Sequence, residues 1–394
     1  MKFSNLVERL QGRRTSAWEI HHAAQQAAAR GEDVIILSVG DPDFATPAPI
    51  VERAVAALRE GDTHYTSIMG REPLREAIAR MQREVGAREV SAQNVILCAG
   101  AQNGLFASSL CLCEAGDEVL VPEPMYLTYE AAIRASGATL VPVPVDPDSG
   151  FHLDCDALEA AVTPRTRAIF FATPCNPTGA VMPREHLERI ARLAQRHDLW
   201  VVSDEVYADL TFEREHVSIA TLDGMAERTV TLGSLSKSHA MPGWRLGWVI
   251  APETLIGHLG RLALCMFYGL PGFIQQAALT ALEEREHVVA EMRAIYRRRR
   301  DLVFAHLRDV PGLRCLLPEA GMFMMIDVRG TGLDAHAFTW QLFEAQKVSL
   351  LDASAFGETA SGYVRLGFVV DDARLVEGCE RIAAFARQLT AARR

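Results

Sequence analysis

The sequence predicts an α/β fold, a mostly parallel sheet sandwiched by helices, with a smaller α+β domain after it. Three observations carry the prediction. Seven short apolar runs recur between residues 94 and 251 without polar alternation, the pattern of strands covered on both faces. Helical stretches separate them: in 185–197, EHLERIARLAQRH, apolar residues fall at 187, 190, 191, 193 and 194, one face of a 3.6-residue period. After Pro252 the alternation stops, and separate helices and strands follow.

In chain order the expected strands are 94–98 (NVILC), 118–122 (EVLVP), 138–143 (ATLVPV), 167–173 (RAIFFAT), 199–204 (LWVVSD), 228–234 (RTVTLGS) and 245–251 (RLGWVIA). A helix is expected over 101–112. Beyond Pro252 come a charged helical segment (283–309), the run GMFMMIDV (321–328), a helix (336–346), VSLLD (348–352), YVRLGF (363–368) and a last helix from Asp371. The four arginines at 297–300 read as a solvated helix face balanced by Glu283, Glu284, Glu286, Glu291 and Asp301.

Composition narrows the function. The chain of 394 residues has 40 Lys and Arg against 50 Asp and Glu, a formal charge of −10, which argues against a nucleic-acid partner. No apolar run suits a signal peptide. The most apolar stretch, 262–274, is interrupted by Pro271 and falls short of the roughly 18 residues that span a membrane, so no membrane partner is expected. Eight cysteines lie mostly in apolar segments; they read as buried free thiols of a cytoplasmic protein. Cys111 and Cys113 lack a second ligand pair, and adjacent His21 and His22 make a poor clamp, so no metal is expected. Neither GxGxxG nor GxxxxGK[ST] occurs.

Ligands of open parallel sheets bind beyond the carboxyl ends of the strands, and the informative residues fall there. Ser234-Leu-Ser236-Lys237 follows the strand 228–234, with Arg245 eight residues on. A lysine buried at a strand end loses proton affinity, which suits Schiff-base chemistry. Two hydroxyls and an arginine suit a phosphate. Asp204 ends another strand; such an aspartate is commonly an N-cap, but at the ligand edge it can pair with a protonated ring nitrogen. Asn176-Pro-Thr-Gly179 is a plain turn or a side-chain donor to a ring hydroxyl. Gly100, Ala101 and Gln102 open a helix whose free N–H groups suit a phosphate.

Taken in this order, Asn176-Pro-Thr-Gly, Asp204-x-x-Tyr207, Ser234-x-Ser-Lys237, Arg245 and Arg365 resemble a fold-type I, pyridoxal-phosphate-dependent aminotransferase of the aspartate-aminotransferase-like class. The resemblance runs from Gly40-Asp-Pro-Asp-Phe to Tyr363-Val-Arg-Leu-Gly. It implies pyridoxal 5'-phosphate attached to Lys237, which also shuttles the proton. It implies that Asp204 holds the ring nitrogen, and that Asn176 and Tyr207 hold the phenolic oxygen. Ser234, Ser236, Arg245 and the turn Gly100-Ala101-Gln102 would hold the phosphate, and Tyr126 would stack on the ring. Tyr65 would reach a neighbouring subunit's phosphate, hence a homodimer with shared sites. Arg365, with Gly40 and Asn176, would clamp the substrate carboxylate. The implied domains are an N-terminal arm with part of the small domain (1–45), a large cofactor-binding domain (46–289) and a C-terminal small domain (290–394).

Four stretches, Gly40 to Val51, Pro124 to Glu130, Ser234 to Met241 and Leu262 to Gly269, are similar to bacterial arginine–pyruvate transaminases. Departures stand at Pro242, where threonine is usual, and at Thr173-Pro-Cys-Asn176. Arginine with pyruvate is therefore the expected pair. A net acidic protein attracts a cationic donor, Glu19 or Glu123 could pair with a guanidinium, and Trp18 could stack on it; Glu19 reads equally as a first-turn helix residue. An aromatic, aspartate or branched-chain aminotransferase, a C–S β-lyase and a non-catalytic aminotransferase-like domain remain as alternatives.

Overall fold

The computed structural model describes residues 1–10, 18–86 and 90–392. Seven strands form its main sheet: β1 (Val95–Cys98), β2 (Glu118–Glu123), β3 (Thr139–Pro144), β4 (Thr166–Ala172), β5 (Trp200–Asp204), β6 (Thr229–Ser234) and β7 (Gly247–Ile250). They are the seven runs read from the sequence, with ends moved by no more than two residues. The spatial order is β1-β7-β6-β5-β4-β2-β3. Strand β7 runs antiparallel to β1 and β6, and the other pairings are parallel.

Helices cover both faces. Helix Arg184–Arg196 turns Leu187, Ile190 and Leu193 onto Ile169 and Val201. Helix Ala101–Leu112 packs Leu105 and Leu112 with Val119, Val202 and Val230 on the other side. Ile169, Val201 and Val230 are fully buried, and each such side chain contributes about 1.5–3 kcal/mol. Strand β3 departs from the expectation of two covered faces: it is the sheet edge and largely exposed. Pro142 and Pro144 lack the N–H that a central strand must donate, which confines them to such an edge.

The second sheet is antiparallel, in the order β10-β11-β9-β8, built from β8 (Arg314–Leu316), β9 (Phe323–Asp327), β10 (Leu351–Asp352) and β11 (Tyr363–Gly367). The expected single run 348–352 is divided. Val348–Ser349 pairs in parallel with Ile35–Ile36, while Leu351–Asp352 joins β11. The charged segment 283–309 is one long helix, Arg285–Leu307, separated at Glu284 from the helix Gly272–Glu283 before it. Helix Asp372–Ala391 is N-capped by the Asp371 side chain.

The arginines at 297–300 correct the solvated-face reading. Arg299 and Arg300 are 4% and 3% exposed. Both guanidinium Nη atoms of Arg299 donate to Asp43, at 2.7 and 2.8 Å, and its Nε donates to Asp372 at 3.0 Å. Arg300 forks onto Glu213 at 2.6 and 2.7 Å. A planar guanidinium matches a carboxylate bidentately, and the Asp43 pair ties the long helix to the segment carrying Gly40. The cysteines are all free, and Cys265 is exposed rather than buried. Residues 262–274 end one helix, turn, and begin the next; no described helix is long and apolar enough to cross a membrane. Of the expected N-terminal arm, residues 11–17, including Ala17, lie outside the described residues.

Candidate active site

The carboxyl ends of β4, β5 and β6 open into one cavity of about 280 Å³. Gly40, Ala101, Gln102, Tyr126, Asn176, Asp204, Tyr207, Ser234, Ser236, Lys237, Arg245 and Arg365 all line it. Trp18, Pro242 and Phe323 also line it. Among the described residues its charges are Lys237, Arg245 and Arg365 against Asp204, which suits an anionic ligand.

The turn after β6 sets the phosphate-like corner. Ser234 Oγ accepts from the Ser236 N–H at 3.0 Å and lies 2.7 Å from Ser236 Oγ. Arg245, held at φ 52, donates to the carbonyls of Pro242 (2.7 Å) and Ala99 (3.2 Å). Opposite, Gly100 caps helix Ala101–Leu112 at φ 79. A Cβ there would overlap the Arg245 guanidinium, and a Cβ on Gly247 would overlap the backbone at Gly100 and Ala101. Both glycines are close-approach positions, and the corner is left for free N–H groups at a helix N-terminus.

Lys237 Nζ donates to the Gly40 carbonyl at 2.6 Å. Burial lowers its pKa to about 8; Asp41 opposes that and the Arg365 and Arg245 cations reinforce it. Across the cavity, burial pushes Asp204 up to about 6. Its carboxylate accepts from the Tyr129 hydroxyl at 2.9 Å and the Val206 N–H at 3.2 Å. Tyr207 is buried, its ring edge-on to Phe323, and burial raises its phenol. Tyr126 stands half-buried at the wall, edge-on to Tyr129.

Arg365, on β11, is 2% exposed. Its Nη2 donates to the Ser38 carbonyl at 2.9 Å and its Nη1 to Asn176 Oδ1 at 3.0 Å. Its Nε is buried without a hydrogen-bond partner among the described residues. Desolvation lowers its pKa to about 10, so it stays cationic at neutral pH. A buried cation with one unmet donor is costly and calls for a carboxylate.

Several expected residues stand elsewhere. Tyr65 is 87% exposed, its ring 5.0 Å from that of Tyr268, and it is not part of the cavity. Gly100 shapes the turn without lining the cavity. Glu19 is exposed in the first turn of helix Glu19–Ala29 and does not line it either. Glu123 is buried, its Oε1 accepting from the Thr359 N–H (3.1 Å) and hydroxyl (3.0 Å). Neither of the two expected carboxylates faces the cavity. Tyr129 and Phe323 are site residues that the sequence reading missed. Tyr129 lies three residues after Tyr126, the one local hint that both project to the same side of a turn.

The sequence matches the family described as aminotransferase class I and II over residues 32–382. It is 51% identical over 389 residues to arginine–pyruvate transaminase of Pseudomonas aeruginosa, covering 99% of each chain. It is 37% identical to an aspartate aminotransferase of Pyrococcus abyssi, over 92% of this chain and 94% of that one. The fold superposes on aspartate aminotransferase from Thermus thermophilus with TM-score 0.92 and 32% identity, over 98% of this chain and 99% of that one. With these matches on a chain that gathers a lysine, an aspartate and two arginines around one cavity, the protein belongs to the class I and II aminotransferases, pyridoxal-phosphate-dependent enzymes that exchange an amino group between an amino acid and a 2-oxo acid.

Proposed function

We propose that the chain transfers the amino group of L-arginine to pyruvate. The observation that carries this pair is the full-length match to the Pseudomonas enzyme of that name.

The cavity residues fit the cofactor. When bound, pyridoxal 5'-phosphate supplies an aldehyde for an amine and a ring that accepts the electron pair left at the substrate α-carbon. Lys237 is the amine suited to hold it: with a pKa near 8, an appreciable fraction is neutral at physiological pH, and the same Nζ can carry a proton across the reacting carbons. Asp204 would hold the ring-nitrogen proton, and Tyr129 fixes its carboxylate. Asn176 and Tyr207 would hydrogen-bond the phenolic oxygen. Ser234, Ser236, Arg245 and the N–H groups of Ala101 and Gln102 would hold the phosphate, in the corner that Gly100 keeps open. Tyr126 would cover the ring face.

Arg365 would clamp the substrate carboxylate, which satisfies its unmet Nε, with Gly40 and Asn176 beside it. Trp18, which lines the cavity, would stack on a guanidinium. We take the functional molecule to be a cytoplasmic homodimer, in which the exposed Tyr65 completes the partner's phosphate site. The division into 1–45, 46–289 and 290–394 fits two sheets bridged by the long helix Arg285–Leu307.

A donor screen tests the reading. Purified holoenzyme should convert pyruvate to alanine with arginine as donor, and 2-oxoglutarate should be the poorer acceptor. Release of pyruvate and ammonia from a sulfur amino acid, with no acceptor present, would identify a β-lyase instead.

A further inference from the structure

Behind the active-site cavity lies a second one of about 680 Å³, and Val206 and Ser234 line both. Glu205, the residue after Asp204, faces this rear cavity. It is 7% exposed. Its Oε1 accepts from the hydroxyls of Ser203 (2.9 Å) and Ser218 (2.7 Å), and its Oε2 lies 3.1 Å from His216 Nε2. Among the described residues no arginine or lysine pairs with it. Arg285, which also lines the rear cavity, pairs with Asp209.

The other charges around the rear cavity do not cancel it. Helix Glu72–Glu84 presents Arg80 and Glu84, and helix Gly272–Glu283 presents Glu283. The loop after β5 presents Asp209, Glu215 and His216, and helix Arg285–Leu307 presents Arg285, Glu286 and Arg293. Among the described residues that line it, acids outnumber permanent cations, so the cavity wall is net negative.

We infer that Glu205 is a positioning residue for amino transfer: its negative charge, on the residue next to Asp204 and with no arginine or lysine partner among the described residues, acts through Asp204 to keep a proton on the cofactor's ring nitrogen. The inference rests on the assignment of Asp204 to that nitrogen. Burial is the largest influence raising Asp204, its hydrogen bonds to Tyr129 and Val206 oppose it, and the Glu205 charge adds to the rise. A field that favours a proton on Asp204 favours it equally on a base hydrogen-bonded to Asp204. Two negative groups behind one ring nitrogen hold its proton to higher pH than one does. The hydroxyls of Ser203 and Ser218 donate to the carboxylate without bringing a counter-charge.

The experiment loads the enzyme with cofactor labelled with ¹⁵N in the ring and follows that signal by NMR against pH. Glu205→Gln keeps the shape and can still accept from both serines, so a purely structural role predicts no change. The account predicts that the ring proton is lost at about one pH unit lower, a tenfold fall in proton affinity, the order expected of one neighbouring charge. Glu205→Asp, which keeps the charge, should hold the proton close to the wild-type midpoint, and serves where Glu205→Gln does not fold. An unchanged midpoint in Glu205→Gln, or a large fall in Glu205→Asp, overturns the inference. Asp204→Asn separates the two levels. If it too leaves the ring signal unchanged, the Asp204 assignment fails; if it alone moves the signal, only the role of Glu205 fails.

Discussion

The Arg365 guanidinium carbon sits 4.0 Å from the centroid of the Phe323 ring, the two residues on adjacent antiparallel strands. Phe356 approaches the same guanidinium at 5.0 Å. Two aromatic rings, the Ser38 carbonyl and Asn176 Oδ1 hold the cation, with no carboxylate of the described residues paired to it. The fork is thereby rigid before substrate arrives, and the missing counter-charge is the substrate's own.

Arg365→Lys should therefore damage binding more than turnover. A lysine retains the charge but has no planar fork to share between Asn176, Ser38 and a carboxylate. We expect kcat/KM to fall by roughly 10²- to 10³-fold, mostly through KM, as for loss of about 3–4 kcal/mol of charge-assisted hydrogen bonding. Steady-state kinetics with saturating pyruvate measure it; an unchanged KM would remove Arg365 from the carboxylate site.

The shifted carboxyl of Asp204 has a stability signature in the cofactor-free protein. Its pKa is raised from 3.8 to about 6, so between those values the unfolded chain has lost a proton that the folded one retains. Stability falls as pH rises through that window, and above it the full cost of burying the charge is present. Asp204→Asn should raise the Tm of the apoprotein at pH 7.5, and the difference should vanish near pH 4. Equal Tm values at both pH values would show that the carboxyl is not destabilised by its surroundings.

The donor's head group gives a sharper test of specificity. Trp18 is among the aromatics that line the cavity, and neither Glu19 nor Glu123 lines it. Trp18→Ala should lower kcat/KM for arginine by about five- to tenfold, the worth of a partly desolvated cation–π contact, and change leucine much less. Equal losses for the two donors would mean that Trp18 only packs.

How much of this was legible beforehand follows from range along the chain. The seven strands of the main sheet and the cluster from Asn176 to Arg245 announce themselves locally, through apolar runs and the residues that end them. What failed depended on distant partners. Arg299 and Arg300 resembled a solvated face because their carboxylates, Asp43 and Glu213, lie 256 and 87 residues away. The segment 348–352 read as one strand because nothing local reveals that Ile35–Ile36 and β11 draw its halves into different sheets. Tyr129 was missed for the same reason: its contact with Asp204 spans 75 residues.

Tyr65 leads to the prediction about assembly. It is exposed beside Tyr268, with Leu264 and Met266 also exposed on the preceding helix. If it completes a partner's site, Lys237→Ala and Tyr65→Ala protomers should complement each other: once subunits exchange, one kind of hybrid site has both residues intact. Activity above either parent is expected. No gain after proven exchange would place each site within one chain.

The most direct test of the central claim is kcat/KM for arginine against leucine, phenylalanine and aspartate, with pyruvate as the common acceptor and alanine as the product measured. The account predicts a preference for arginine of at least tenfold that weakens with salt, as attraction of a cation to an acidic protein should. A preference for an apolar or acidic donor would contradict the assignment of arginine.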